Sequence, residues 1–211
     1  MMARLVPPRL VILLHGVGGT PADMAPLGER IAAVLPEARI AALPAAHPYD
    51  FGPQGYQWFS VDGITEENRP GRIQAALDGF ITAIQAAQQK HGATPERTTL
   101  VGFSQGAIMS LAGCHAAWLA RHAVAIAGRF APLPARWPQD TAVSLVHGTM
   151  DGTMPADHSR RAAARLAELG ADVHLDLVPR AVHMLSPGMQ DAAVKALRPS
   201  CAATDWHRTD S

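Results

Sequence analysis

The sequence has little charge, few cysteines and no metal-binding motif. Charged residues make up only 17% of its 211 residues and the formal net charge is zero, so it offers neither a basic patch for nucleic acid nor an acidic tail for a basic partner. The two cysteines, Cys114 and Cys201, show neither C-x-x-C spacing nor a disulfide framework, which suits a reducing compartment. The ten histidines include no H-E-x-x-H or paired ligand spacing. We therefore expect no nucleic-acid partner, no metal site and no cofactor.

Long hydrophobic runs are also absent. The apolar run Leu10–Leu14 is too short to span a bilayer, and it leads into a histidine–glycine loop instead of a cleavage site. We therefore expect no stable membrane insertion and, by default, a cytoplasmic protein. With 48% hydrophobic residues, the chain can bury one sizeable core, so residues 1–211 are predicted to form a single domain with 198–211 as a frayed tail. No heptad seam is evident, and the oligomeric state stays open.

Strand-like and helix-like segments alternate along the chain. Apolar or β-branched runs predict strands at 10–14, 39–43, 98–103, 123–127, 141–147 and 173–178, and helical periodicity or end signals predict helices at 20–35, 72–91, 105–119, 155–169 and 186–197. This alternation predicts an α/β fold with a mostly parallel central sheet and helices on both faces. The segment 44–64 is long and rich in proline, glycine and aromatics, and we expect it to fold over one edge of the active site.

The pattern Gly102-x-Ser104-x-Gly106 is typical of a nucleophile elbow. Such a serine sits on a strand-to-helix turn so tight that side chains two residues away on either side would collide, and glycine removes the collision. A match of this kind arises by chance roughly one time in fifteen in a chain of this length. Here an apolar run precedes Ser104 and a helical pattern follows it, as the elbow requires, so we interpret Ser104 as a nucleophile.

Two further side chains complete a candidate triad. Functional groups of a parallel sheet gather beyond the carboxyl ends of its strands, where Asp151 and His183 follow the predicted strands 141–147 and 173–178. The chain order Ser, Asp, His is that of α/β-hydrolases. Asp151 could alternatively serve only to stabilise its own turn. The other candidate acids have the wrong position, because Asp157 lies at a predicted helix start and Asp172 lies before a strand instead of after one. His15 and His147 are better placed to brace loops.

The same residues resemble those of a known family. The motifs Leu14-His15-Gly16-Val17-Gly18, Gly102-Phe103-Ser104-Gln105-Gly106, the His147-Gly148 turn with Asp151, and His183 are similar to those of the phospholipase/carboxylesterase family of small serine hydrolases, which includes acyl-protein thioesterases. The segments Trp58-Phe59-Ser60-Val61 and Gly63-Ile64-Thr65-Glu66-Glu67-Asn68-Arg69 resemble a bacterial esterase branch. The resemblance implies an α/β-hydrolase fold, oxyanion N–H groups from Val17 and Gln105, and an acyl pocket lined by Trp58. This sequence departs from the family pattern at Gly19, where many relatives have aspartate. It also departs at Ala181-Val182, where relatives have a glycine-rich segment just before the histidine.

The expected activity is hydrolysis of esters or thioesters through an acyl-enzyme. Met24, Met150, Met154 and Met184 fall in loops expected to ring the site, and because methionine adapts to flexible chains, small to medium acyl groups are expected, with Met150 and Met184 binding substrate. No stretch between strands has room for a large cap domain, so a shallow, open site is expected. Lysophospholipase-like activity and a non-catalytic binding module of the same fold remain alternatives. Protonated histidine cannot act as a base, so activity is expected to fall in acid.

Overall fold

A computed structural model describes residues 9–197, and the predicted tail at 198–211 lies outside them. The strands, numbered in chain order, are β1 (Leu10–Leu14), β2 (Arg39–Leu43), β3 (His47–Pro48), β4 (Tyr56–Gln57), β5 (Thr98–Phe103), β6 (His122–Ile126), β7 (Ala142–Gly148) and β8 (Val173–Val178). The helices are α1 (Ala25–Val34), α2 (Arg69–His91), α3 (Gln105–Ala116), α4 (Asp157–Glu168) and α5 (Pro187–Ala196), with 3₁₀ turns at Pro21–Met24 and Pro95–Arg97.

Six strands form one sheet in the order β2-β1-β5-β6-β7-β8. Every neighbouring pair is parallel, so the carboxyl ends of all six strands meet at one edge. The predicted parallel sheet is confirmed. The loops that follow β1, β5, β7 and β8 therefore share this edge, and residues 9–197 build no separate cap domain over it.

The sheet separates two hydrophobic clusters, and β1 shows how. Successive side chains of a strand point to opposite faces, so Leu10, Ile12 and Leu14 join the cluster under α2, α3 and α4, whereas Val11 and Leu13 join the one under α1 and α5. All five side chains are at most 1% exposed. The continuous apolar run in the sequence thus reflects burial on both faces, and the prediction of helices on both faces is confirmed.

Several predicted boundaries were wrong. The helix expected at 20–35 is a 3₁₀ turn followed by α1, although the capping residues are present as expected, since the Thr20 N–H donates to Asp23 Oδ2 at 2.6 Å. Helix α2 begins at Arg69, earlier than predicted, whereas its end at His91 is as predicted, followed by Gly92 with the left-handed φ of 63°. Helix α3 ends at Ala116, since the next residue is extended. No helix in 9–197 combines the length and apolar character that a bilayer crossing requires.

Candidate active site

Ser104 occupies the turn between β5 and α3 with an unusual backbone. Its φ of 51° and ψ of −113° lie where side chains are rarely tolerated, and its N–H donates to the Ile126 carbonyl at 2.9 Å. A Cβ atom at Gly102 or Gly106 would come closer than 3.0 Å to neighbouring backbone, at Gly106 to the Leu14 carbonyl. Both glycines are therefore required by close backbone approach, which is the physical reason for the elbow spacing.

His183 links Ser104 to Asp151. Its Nδ1 lies 2.6 Å from Asp151 Oδ2 and its Nε2 lies 2.9 Å from Ser104 Oγ. Because the carboxylate only accepts hydrogen bonds, Nδ1 carries the proton and Nε2 is free to accept from the serine hydroxyl. The Phe103 ring packs against the imidazole with centroids 5.2 Å apart. Three residues far apart in sequence thus form one hydrogen-bonded line.

The Asp151 carboxylate is held by its own turn and by the neighbouring loop. Its Oδ1 accepts from the N–H groups of Thr153 at 3.0 Å and Met154 at 2.7 Å. The loop of Asp151 and the loop of His183 are joined directly, since the N–H of Met150 donates to the Ala181 carbonyl at 2.9 Å. Asp151 is only 6% exposed, so these donors replace the water that an ionised carboxylate needs.

The rival acids lie elsewhere. Asp157 forms a surface ion pair with Arg161 at 3.2 Å, and Asp172 precedes β8 at the opposite edge, where its carbonyl accepts from Val143.

Two backbone N–H groups beside Ser104 have no acceptor among residues 9–197. They belong to Val17, in the loop after β1, and to Gln105, the first residue of α3. The Val17 loop packs on Ser104, because a Cβ at Gly16 would lie 3.3 Å from Ser104 Cβ. Free N–H groups at a helix N-terminus favour negative charge. The arrangement is suited to an oxyanion beside Ser104.

Comparison with known proteins agrees with this geometry. The chain matches the family description "Phospholipase/Carboxylesterase" over residues 3–198. It is 37% identical over 191 residues to Esterase YpfH of Escherichia coli (strain K12), covering 90% of this chain and 82% of that protein. The chain belongs to the phospholipase/carboxylesterase family. It is accordingly an ester-hydrolysing serine hydrolase.

Solved structures of similar proteins share the fold. The crystal structure of esterase PE8 superimposes with a TM-score of 0.82 at 28% identity, covering 90% of this chain and 91% of that chain. A carboxylesterase from Mesorhizobium loti superimposes with a TM-score of 0.73 at 22% identity, covering 90% and 88%, and this second likeness is one of fold alone. The predicted α/β-hydrolase fold is confirmed.

The Gln105 side chain of this esterase has a second role that the sequence analysis missed. Its Oε1 accepts from the Trp58 N–H and its Nε2 donates to the Phe59 carbonyl, both at 2.7 Å. The Trp58 indole N–H in turn donates to the His15 carbonyl at 2.9 Å. Gln105 therefore attaches the segment 44–64 to the start of α3. The sequence signal for this role was a glutamine directly after Ser104, at an otherwise apolar helix start.

His15 braces the Val17 loop, as expected. Its Nδ1 donates to the Gly16 carbonyl at 2.7 Å, and its Nε2 accepts from the Ala45 N–H at 3.1 Å. Burial lowers the pKa of His15, opposed by its bond to Gly16 and by the charge of Asp23. The neutral ring is the form that can accept from Ala45, so this bond also favours the neutral state.

A second carboxylate organises the segment 44–64. Asp50 accepts from Gln57 Nε2, from Ser60 Oγ and from the N–H groups of Val61 and Asp62, at 2.6 to 3.0 Å. The Ser60 hydroxyl, followed by the Gln57 amide, lowers the pKa of Asp50 to about 2. The long segment is thus a hydrogen-bonded structure, which the sequence did not predict in detail.

The predicted substrate-binding residues differ in exposure. Met150 and Met184 are 61% and 60% exposed on the loops that carry Asp151 and His183, whereas Trp58 is 4% exposed. Met24 was predicted to ring the site, and this was wrong, because it is fully buried in the cluster beneath α1. Met154 contributes backbone contacts to Asp151.

No group of three or more His, Cys, Asp or Glu in 9–197 is arranged to hold a metal ion.

Proposed function

We propose that Ser104, His183 and Asp151 are the catalytic triad of a carboxylesterase, with the N–H groups of Val17 and Gln105 as its oxyanion hole. The observation that carries this proposal is the position of His183, whose two ring nitrogens contact Ser104 Oγ and Asp151 Oδ2 at 2.9 and 2.6 Å. These distances are those of a nucleophile with its general base, and of the base with the group that orients it.

In the proposed reaction, Ser104 Oγ attacks the ester carbonyl carbon while its proton passes to His183 Nε2. The carbonyl oxygen becomes an oxyanion that accepts from the two N–H groups, a stabilisation of about 3 kcal/mol per donor in related chemistry. The C–O bond to the alcohol breaks, and His183 returns the proton to the leaving oxygen. A water then attacks the acyl carbon while its proton passes to His183. The bond from the acyl carbon to Ser104 Oγ breaks, His183 returns the proton to Oγ, and the acid is released. Asp151 stays ionised throughout and holds the Nδ1 proton.

Labelling with a fluorophosphonate tests the assignment directly. The wild-type chain is expected to be labelled once and inactivated, and Ser104→Ala is expected to be neither labelled nor active. A folded wild-type chain that neither reacts with the probe nor hydrolyses p-nitrophenyl esters would instead support the non-catalytic binding module.

We further propose that the substrates carry small to medium acyl chains on an ester or thioester. Met150 and Met184 present exposed thioether side chains beside the triad, and methionine adapts to flexible chains. Acetyl, butyryl and octanoyl esters, the matching thioesters and a lysophospholipid form the test panel. A strict acetyl preference would remove the acyl-chain proposal, and a preference for the lysophospholipid would favour the alternative.

Trp58 is proposed to line the acyl side of the pocket, because its indole lies between the Val17 loop and α2, edge-on to Phe80 with centroids 5.4 Å apart. Trp58→Phe is expected to change the chain-length preference, and an unchanged preference would contradict this role. A cytoplasmic location stays a proposal, supported by the cysteine pattern and tested by cell fractionation.

A further inference from the structure

A second histidine lies against the triad carboxylate and takes no part in the proton transfers above. His147, at the end of β7, is fully buried. Its Nε2 lies 2.7 Å from the Met154 carbonyl oxygen and 3.3 Å from Asp151 Oδ2, and its Nδ1 lies 2.6 Å from Ser159 Oγ at the start of α4. Its ring therefore connects a strand, the turn that carries Asp151, and a helix.

These contacts determine the proton positions on the ring. A carbonyl oxygen only accepts, so Nε2 must carry a hydrogen, which it shares between Met154 and Asp151 Oδ2. In the neutral ring, Nδ1 then accepts from the Ser159 hydroxyl. Burial lowers the pKa of His147, and the nearby His183 lowers it further, against the opposing effects of Met154 and Asp151. The neutral Nε2–H form satisfies every contact.

The turn at Asp151 is consequently held from two sides. The N–H groups of Thr153 and Met154 point at Asp151 Oδ1, and His147 holds the Met154 carbonyl and approaches Oδ2. Without His147, the turn would lose its side-chain contacts with β7, and Oδ2 would keep only His183 as a side-chain donor among residues 9–197. Because the Met154 carbonyl belongs to the same turn whose N–H groups hold Oδ1, a less firmly held turn would position the carboxylate, and with it His183, less well.

We propose that His147 is a positioning residue of this esterase, which fixes the Asp151 carboxylate, and through it the His183 ring, by donating from Nε2 to Met154 and Asp151. The inference rests on the proposed triad. It goes beyond loop bracing because it assigns His147 an effect on the chemical step and not only on stability.

The test compares His147→Phe, which keeps a ring without donors, with His147→Gln, whose amide N–H reaches toward Met154. His147→Phe is expected to lower kcat at least tenfold with KM unchanged. The loss should stay below the roughly 10⁴-fold decrease in kcat that follows removal of the aspartate's charge from a triad. His147→Gln is expected to recover most of this loss. The Nδ1–H proton resonance of His183 is expected to shift in His147→Phe, and the acid limb of the kcat/KM profile is expected to move with it. The titratable groups near His147 are Asp151, His183 and, on α4, His158, and only the first two belong to the proposed triad.

His122→Gln is the matched control. His122 is also a histidine in the sheet, bonded to Ser144 Oγ at 2.9 Å, but it stands at the opposite end of β6 from the triad edge. It is expected to change stability without changing kcat or the His183 resonance.

If His147→Phe does not fold, Ser159→Ala provides the same test with a milder change. Loss of the donor to Nδ1 is expected to lower kcat by two- to tenfold, about the equivalent of one ordinary hydrogen bond. A folded His147→Phe that keeps wild-type kcat, pH profile and His183 resonance would overturn the inference, and so would a Ser159→Ala that keeps them where His147→Phe does not fold. That outcome is distinct from failure of the triad itself, which would show as activity close to that of the wild type in Ser104→Ala.

Discussion

Replacing Gln105 by alanine removes the amide that joins α3 to the segment 44–64 while leaving its backbone N–H in place. Two hydrogen bonds of 2.7 Å are lost, and their partners, the Trp58 N–H and the Phe59 carbonyl, belong to residues only 4% and 3% exposed. A buried polar group left without a partner costs about 1–3 kcal/mol. The attachment of the segment is therefore expected to weaken by about 2–6 kcal/mol.

The consequence for catalysis follows from Trp58. Its indole N–H holds the His15 carbonyl, in the loop that presents the Val17 N–H. Once Trp58 is released, the Val17 N–H, which we propose as an oxyanion donor, loses its support, and removal of one such donor costs about 10²–10³ in kcat. We expect Gln105→Ala to lower kcat at least tenfold, within that limit.

Hydrogen exchange of the backbone amides in 44–64 and steady-state kinetics check this prediction together. Gln88→Ala is the control, because Gln88 is another buried glutamine whose Nε2 donates to Thr98 Oγ1 and the Leu119 carbonyl, away from the triad edge. It is expected to reduce the free energy of unfolding but neither kcat nor protection of 44–64. Wild-type protection and kcat in folded Gln105→Ala would refute the reasoning.

Three further predictions concern stability and reactivity. Gly106→Ala is expected to abolish soluble expression or lower Tm strongly, since its Cβ would overlap the Leu14 carbonyl; a thermal melt like wild type would contradict this. Burial, with a smaller effect of Arg9 against the opposing Asp172, lowers the pKa of His122 from 6.5 to about 4, so the folded state resists a proton that the unfolded chain accepts. Stability is thus full above pH 6.5 and decreases as the pH falls toward 4, by about 3 kcal/mol from this group. Urea titrations should show a shallower pH dependence in His122→Gln, and an equal one would argue against it. Burial also raises the pKa of the Cys114 thiol to about 12, so iodoacetamide is expected to modify it only after unfolding, as mass spectrometry would show.

The site was predictable where its signals are local or follow chain order. The glycines around Ser104 report a steric requirement within a few residues, and Asp151 and His183 follow strand ends that a parallel sheet brings to one edge. These three residues are found together as expected. Their catalytic roles stay predictions until the labelling and mutant assays are done.

What the sequence did not reveal depends on contacts between distant segments. Gln105 bonds to residues more than forty positions away, and no periodicity encodes such a pairing. Strands β3 and β4 have two residues each, too few for an alternating pattern. Met24 was misplaced because its proximity to the glycine loop in sequence says nothing about which face of the 3₁₀ turn is buried.

The backbone of Ser104 has a consequence for the evolution of this enzyme. With φ at 51°, the position suits glycine better than any residue with a side chain, and holding such a conformation costs about 1–3 kcal/mol. Ser104→Gly is therefore expected to be inert yet more thermostable than the wild type. Selection for stability alone would favour glycine at this position, so a serine that serves as the proposed nucleophile represents a compromise between stability and activity.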